Sequence, residues 1–237
     1  MPVYLLPNEP VFPDANEAEE EGLLAIGGDF SVDRLLNAYA SGIFPWFVHE
    51  GDPYWFSPNP RLVLFPDKLK ISKSLQRVIR TGRFEVKLDT DFEEVIRHCA
   101  RIKRAHEPDT WISDEFILGY THLHTKGFAH SVACYENGVI VGGLYGISLG
   151  RAFFGESMFF TMPNASKVAL YHLVQLLLKW EFQFVDCQVK TEHFLRMGAM
   201  LMPRTEYLEL LEKAIKFPTK RGTWSLHPGS SILDPGS

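Results

Sequence analysis

The sequence has little of what would staple a fold or span a membrane. Its 237 residues include three cysteines, Cys99, Cys134 and Cys187, with no C-x-x-C spacing. An odd count without that spacing excludes a disulfide framework and a cysteine-based zinc site, and points to a reducing compartment. The longest apolar stretch, Val168 to Trp180, is broken by His172, Gln175 and Lys179. A bilayer span takes about 20 apolar residues, so no membrane partner is expected. The N-terminus has neither a positive n-region nor an apolar core. No signal peptide is therefore expected, and the cytoplasm is the expected location.

A positive charge excess is also missing. The net charge of −5 excludes a chain that is basic all over, though not one with a local basic patch. No repeat or low-complexity segment occurs. The glycine pairs Gly27-Gly28 and Gly142-Gly143 have neither P-loop nor dinucleotide spacing. His122 and His124, two apart on a predicted helix, diverge, so a shared metal ion is not expected.

What is present is ordinary core material rich in rings. Hydrophobic residues make up 46% and aromatics 13%, led by 18 Phe, which suits a core or a pocket lined with rings. Residues 1–62 are dense in Pro, Gly and aromatics and read as a small, loop-rich N-terminal domain. Within it Ser31 can cap a helix carrying Leu35, Leu36, Tyr39 and Ala40. Prolines near residue 60 mark a boundary, and 63–237 form the second domain.

That second domain begins with helices. They are expected over Ser74–Arg80, over Asp91–Ala100, and from Ser113 as N-cap to a stop near Gly127. The pattern then changes to a strand from His130 to Tyr135, a turn at Glu136-Asn137-Gly138, a strand from Val139 to Ile147 and a third through Phe154 to Phe160. A helix capped by Asn164 runs to about Lys179, followed by a strand from Phe182 to Val189, a short helix from Thr191 to Met197 and a last helix from Thr205 to Ile215. This order predicts an α+β domain, with a mainly antiparallel sheet packed by helices. The tail after about Pro218 reads as loosely ordered.

Two segments place carboxylates inside apolar, strand-like runs: Gly155-Glu156-Ser157-Met158-Phe159 and Val185-Asp186-Cys187-Gln188-Val189. Side chains at i and i+2 of a strand leave by one face, so Asp186 and Gln188 should converge, and Glu156 with Met158 likewise. Either these acids cap neighbouring backbone, or they form a polar cluster at the base of an apolar pocket. Ser157 is a poor nucleophile candidate, because the segment lacks the second glycine of a G-x-S-x-G elbow.

A second feature is the basic run Lys68, Lys70, Lys73, Arg77, Arg80 and Arg83. On a helix Lys73, Arg77 and Arg80 share one face, opposite Leu75, Val78 and Ile79. It is either a solvated face or a set of phosphate contacts for RNA. The aromatics Trp46, Phe47, Trp55, Phe56 and Trp111 are either core or stacking platforms for a base or ribose.

Taken in chain order, eight segments resemble the bacterial leucyl/phenylalanyl-tRNA–protein transferases. They are Gly22–Asp29, Gly42–Phe47, Trp55–Pro58, Thr110–Ile112, Gly142–Gly146, Gly155–Phe159, Asn164–Lys167 and Asp186–Gln188. The resemblance implies a second domain of the GNAT acyltransferase type. It implies transfer of Leu or Phe, less readily Met, from aminoacyl-tRNA to proteins beginning with Arg or Lys, marking them for degradation. It implies no cofactor, and a monomer is expected. The junction Thr161–Ser166 has no glycine, and Pro163 removes a backbone donor, which disfavours a pyrophosphate-bearing donor such as acetyl-CoA.

By the same resemblance Glu156, Asp186 and Gln188 are the catalytic set. The aminoacyl side chain is expected among Phe153, Met158, Leu170, Leu173 and Leu177, beside Gly155 and Ser157 and closed by Trp111 and Tyr120. The terminal adenosine is expected near Trp46 and Trp111. Asp186 would orient Gln188 and take the proton, since an amide is no base, or else the tRNA ribose hydroxyl carries the proton and these residues only position. An N-acetyltransferase, a cell-wall aminoacyl transferase and a non-catalytic RNA-binding module remain as alternatives.

Overall fold

The N-terminal residues build a sheet of their own. In the computed structural model, which describes residues 3–101 and 112–225, β1 (Tyr4–Leu5) and β2 (Leu23–Ile26) lie parallel, and α1 (Val32–Ala40) follows. Then come β3 (Phe44–His49) and β4 (Asp52–Phe56), giving a four-stranded sheet in the order β1-β2-β4-β3. Ser31 caps α1 as its sequence requires, accepting the Arg34 N–H at 3.4 Å.

The rest of the chain supplies β5 (Arg61–Leu64), α2 (Lys73–Arg80), β6 (Glu85–Leu88), α3 (Phe92–Arg101) and α4 (Asp114–Thr125). A meander follows: β7 (Ala129–Glu136), β8 (Val139–Leu149) and β9 (Ala152–Phe160). The chain ends with α5 (Ala165–Lys179), β10 (Phe184–Gln188), α6 (Glu192–Arg196), β11 (Met200–Met202) and α7 (Arg204–Ile215). The large sheet has seven strands in the order β11-β5-β10-β9-β8-β7-β6. Its neighbours are antiparallel except β9 and β10, which run parallel. The expected α+β layering is present.

Strand alternation splits the apolar residues into two cores. Val63, Phe154 and Phe184 join residues of α1, α3, α4 and α7 on one face, where the N-terminal sheet also packs. Leu62, Leu64, Phe153 and Val185 join α2 and α5 on the other. Residues before and after the proline-rich stretch near residue 60 thus share one core, and β5 begins within that stretch.

The sequence pattern marks none of β1 to β6 or β11, and two further details differ from the expectations. Asn164 precedes α5 at φ +73° and its side chain makes no capping bond, because an N-cap needs the extended region. The tail is packed at least as far as Trp224, which is 2% exposed. Its backbone N–H donates to Asp89 at 2.7 Å, and its ring stacks on His130 with centroids 3.7 Å apart. A buried indole was not legible in so polar a tail.

Candidate active site

Two β-bulges meet across the parallel β9–β10 pair of the large sheet. The β8–β9 register pairs Tyr145 with Ser157 and Gly146 with Gly155, leaving Glu156 as the extra residue. The β10–β5 register pairs Asp186 with Val63 and Gln188 with Leu62, leaving Cys187 over. Pairing of β9 with β10 ends at Asp186–Phe154, so the strands part between Glu156 and Gln188. Gln188 itself holds φ +61°, a left-handed conformation that costs a side-chain-bearing residue about 1 kcal/mol. Bulges that re-aim side chains recur beside active sites.

The bulges change what the strand period implied. Met158 packs with the α5-side core, whereas Glu156 points to the opposite face. Asp186 and Gln188 do not converge on one spot either. Asp186 is fully buried, and its carboxylate is saturated. Oδ1 accepts from Arg61 Nε and the Gln188 N–H, both at 2.9 Å. Oδ2 accepts from Arg61 Nη2 and the Tyr207 hydroxyl, both at 2.7 Å. Arg61 is buried too, between the rings of Phe44 and Tyr207 at 4.7 and 4.6 Å, and donates to Gly42 O at 3.2 Å. Burial opposes its charge, but the paired Asp186 wins and raises its pKa.

Glu156 is the carboxylate at the surface of this arrangement. Oε1 accepts from Tyr39 Oη and Gln188 Nε2, each at 2.7 Å, and Oε2 accepts from Tyr120 Oη at 3.1 Å. The Tyr39 and Tyr120 hydroxyls, both fully buried, also lie within hydrogen-bonding reach of each other, so their two protons are shared among three contacts. Burial pushes the Glu156 carboxyl up to about 7 against the hydrogen bonds of Tyr39, Tyr120 and Gln188, which favour its ionised form. Burial, and then the charge of Glu156, raise both phenols well above their usual range, so they stay neutral donors. An ionised carboxylate only accepts, so the Gln188 amide presents nitrogen to Glu156 and turns its oxygen the other way.

The remaining expected residues divide. Phe153, Leu170, Leu173 and Leu177 are buried together with Met158 partly buried beside them, on the α5 side of the sheet. Tyr120 lies on the other side, under Glu156, so it does not close that pocket. Gly155 has room around it: a Cβ there would meet Asp186 O at 3.5 Å and nothing nearer. Neither fold nor backbone demands that glycine. Ser157 is buried, Trp55 is fully buried in the core, and Trp46 stands half-buried, edge-on to Phe56 with centroids 5.0 Å apart. Trp111 lies outside the described residues. A cleft of about 390 Å³ between α4, the loop after β2 and the β3–β4 hairpin contains none of the expected residues.

Residues 63–212 match the family described as leucyl/phenylalanyl-tRNA protein transferase, and residues 28–59 match its N-terminal domain. The chain is 52% identical over 233 residues to the leucyl/phenylalanyl-tRNA–protein transferase of Desulfatibacillum aliphaticivorans, covering 98% of this chain and 100% of that one. The chain belongs to the leucyl/phenylalanyl-tRNA–protein transferase family. A second relative, from Myxococcus xanthus strain DK1622, is 49% identical over 228 residues, 95% of this chain and 97% of the other. The protein is thus an aminoacyltransferase whose donor is an aminoacyl-tRNA. Among solved structures, a GCN5-related N-acetyltransferase-like protein from Streptococcus suis covers 75% of this chain and 68% of its own, at 12% identity and TM-score 0.37. L-PGS from Bacillus licheniformis covers 71% of this chain and 54% of its own, at 12% identity and TM-score 0.38.

In this transferase the basic run is only partly free. Lys68 pairs with Asp67 at 2.8 Å and Arg83 with Glu136 at 2.6 Å. Lys70, Lys73, Arg77 and Arg80 are exposed and form no ion pair with a described residue. Leu75 and Ile79 bury the other face of α2. Among the described residues no group of three or more His, Cys, Asp or Glu could hold a metal ion, and no helix is long and apolar enough to cross a membrane.

Sequence reasoning missed Arg61, Tyr39 and Tyr207. A signal for Arg61 existed: a lone arginine opening the apolar run Leu62-Val63-Leu64 needs a buried acid, and Asp186 sits in another apolar run.

Proposed function

We propose that the transferase moves Leu or Phe, less readily Met, to the α-amino group of proteins beginning with Arg or Lys, marking them for degradation. It works in the cytoplasm as a monomer and needs no cofactor. The observation that most supports this is the Glu156–Gln188 pair, bonded at 2.7 Å where β9 and β10 part. It offers a carboxylate of near-neutral pKa and an amide to an incoming amine, which is what aminolysis of an ester needs.

The hydrogen bonds support a division of roles. Each carboxylate oxygen of Asp186 already accepts two hydrogen bonds, so it positions: it fixes Arg61, Tyr207 and the Gln188 backbone and leaves the proton to another group. Gln188 orients the attacking α-amine through its outward oxygen. Glu156, with one donor on Oε2, accepts the proton as the new C–N bond forms. The bond from the acyl carbon to the ribose oxygen then breaks, and that oxygen takes the proton from Glu156, which returns to its carboxylate form. The aminoacyl side chain enters past Gly155 toward Phe153, Met158, Leu170, Leu173 and Leu177. An apolar pocket separates single methylenes by only about 1–3 kcal/mol, which suits acceptance of Leu, Phe and Met together. Trp46 stacks on the terminal adenosine, with Trp111 in the same role.

The test is transfer of labelled Phe from Phe-tRNA to a peptide beginning with Arg, against the same peptide beginning with Ala. Label is expected on the first alone. Equal labelling, or binding of Phe-tRNA without transfer, contradicts the proposal. The basic run, led by Lys73, Arg77 and Arg80 of α2, holds the tRNA. Reversing those three to Glu should raise the tRNA Kd and flatten its dependence on salt by about two to three units of log–log slope. Unchanged binding would remove α2 from the interface.

A further inference from the structure

The basic surface does not end with α2. Lys167 in the first turn of α5, Lys190 just after β10 and Arg196 at the end of α6 are half-exposed, exposed and exposed. None forms an ion pair with a described residue. Lys190 and Arg196 bracket α6, the element that follows β10. Lys190 is two residues beyond Gln188. Lys167 and Arg196 both act on His193 of α6, whose pKa burial lowers most and those two charges lower further.

The same turn joins this cluster to the known run. The Lys70 N–H donates to Met197 O at 2.8 Å, and a Cβ on Gly198 would fall 2.2 Å from Lys68 O. The chain after α6 therefore lies directly against Lys68–Lys70. The start of α5 carries no side-chain cap and no acid in its first turn, so its helix dipole adds to the positive field there. Glu192 is the acid on α6 and is exposed.

We propose that Lys167, Lys190 and Arg196 form a cationic track for the single-stranded 3′ end of the aminoacyl-tRNA. The track leads from α2 to the Glu156–Gln188 pair. It rests on the reading that α2 holds the tRNA and that transfer occurs at that pair. Repeated phosphates on a flexible strand match a row of unpaired cations that ends at the reacting ester. A folded acidic protein would need a broad complementary face, whereas these cations come singly from α5, the segment after β10 and α6.

The test is a triple variant, Lys167→Glu, Lys190→Glu and Arg196→Glu, with folding checked by thermal melting. Binding is titrated with intact Phe-tRNA and with tRNA trimmed of its single-stranded 3′ end. For intact tRNA the Kd should rise about tenfold and the log–log salt slope should fall by about 2, since each single-strand phosphate contact contributes roughly 0.7. For trimmed tRNA, variant and native protein should bind alike. A triple Gln variant should show the same pattern more weakly. Unchanged Kd for intact tRNA overturns the proposal, as does an equal loss with trimmed tRNA, which would place the contacts on the duplex. A raised KM for the acceptor peptide with unchanged tRNA binding overturns it too, in favour of a peptide surface. Native protein assayed in parallel for transfer to the Arg peptide shows separately whether the underlying reading holds.

Discussion

Replacing Glu156 with glutamine lowers the rate of peptide-bond formation by about 10²–10⁴-fold, the range of a lost general base, in single-turnover transfer from saturating Phe-tRNA. The substitution keeps the size of the side chain, and its amide can accept through oxygen from Tyr39 and donate through nitrogen to the Tyr120 hydroxyl, so folding should survive. Loss of the carboxylate also changes stability in a signed way. The folded protein, with this carboxyl raised from 4.5 to about 7, holds a proton that the unfolded chain has released. Stability therefore falls as pH rises across that window, and the Gln variant should lack this fall in urea melts at pH 5 and pH 7. A wild-type transfer rate in the variant would return Glu156 to a supporting role.

Arg61→Met is expected to cost about 3–5 kcal/mol, because it leaves Asp186 charged and unpaired in the core. Whole-domain stabilities run about 5–15 kcal/mol, so the loss brings the protein close to unfolding at 37 °C. A fall in Tm of the order of 10 °C is the corresponding readout for a chain of this size. The double variant Arg61→Met, Asp186→Leu removes both charges and should recover most of that stability. It should not recover transfer, because the Gln188 backbone loses its 2.9 Å bond to Asp186. That split between folding and activity separates a positioning role from a merely structural one. If Asp186→Asn alone keeps full stability and full transfer, the ion pair has neither role.

Much of this arrangement was legible because it is local. Ser31 and Ser113 cap the helices that follow them, each by a bond to an N–H three residues on. The apolar spacings of α1, α3 and α4 gave their buried faces, and a carboxylate in each of two apolar strands marked the site. What the sequence could not show depends on partners far along the chain. Arg61 reaches Asp186 across 125 residues and Tyr39 reaches Glu156 across 117. The bulges at Glu156 and Cys187 are defects of register against neighbouring strands, and a strand's own alternation carries no sign of them. That is why Met158 was expected beside Glu156 and lies behind the sheet, and why Tyr120 was expected over a pocket and supports the carboxylate instead.

The division of labour at the parted strands, with Glu156 taking the proton and Asp186 holding Gln188, is tested most directly by the pH dependence of single-turnover transfer. Phe-tRNA is pre-bound and an Arg-initiated peptide supplied at limiting concentration, for the native protein and for Glu156→Gln. The attacking α-amine, with a pKa of about 7.7–8.0, must be neutral, and in the native protein Glu156 must be ionised as well. The native log rate should therefore rise with a slope approaching 2 below pH 7, and the variant with a slope of 1 at a far lower rate. Parallel profiles of unit slope for both proteins would contradict the account.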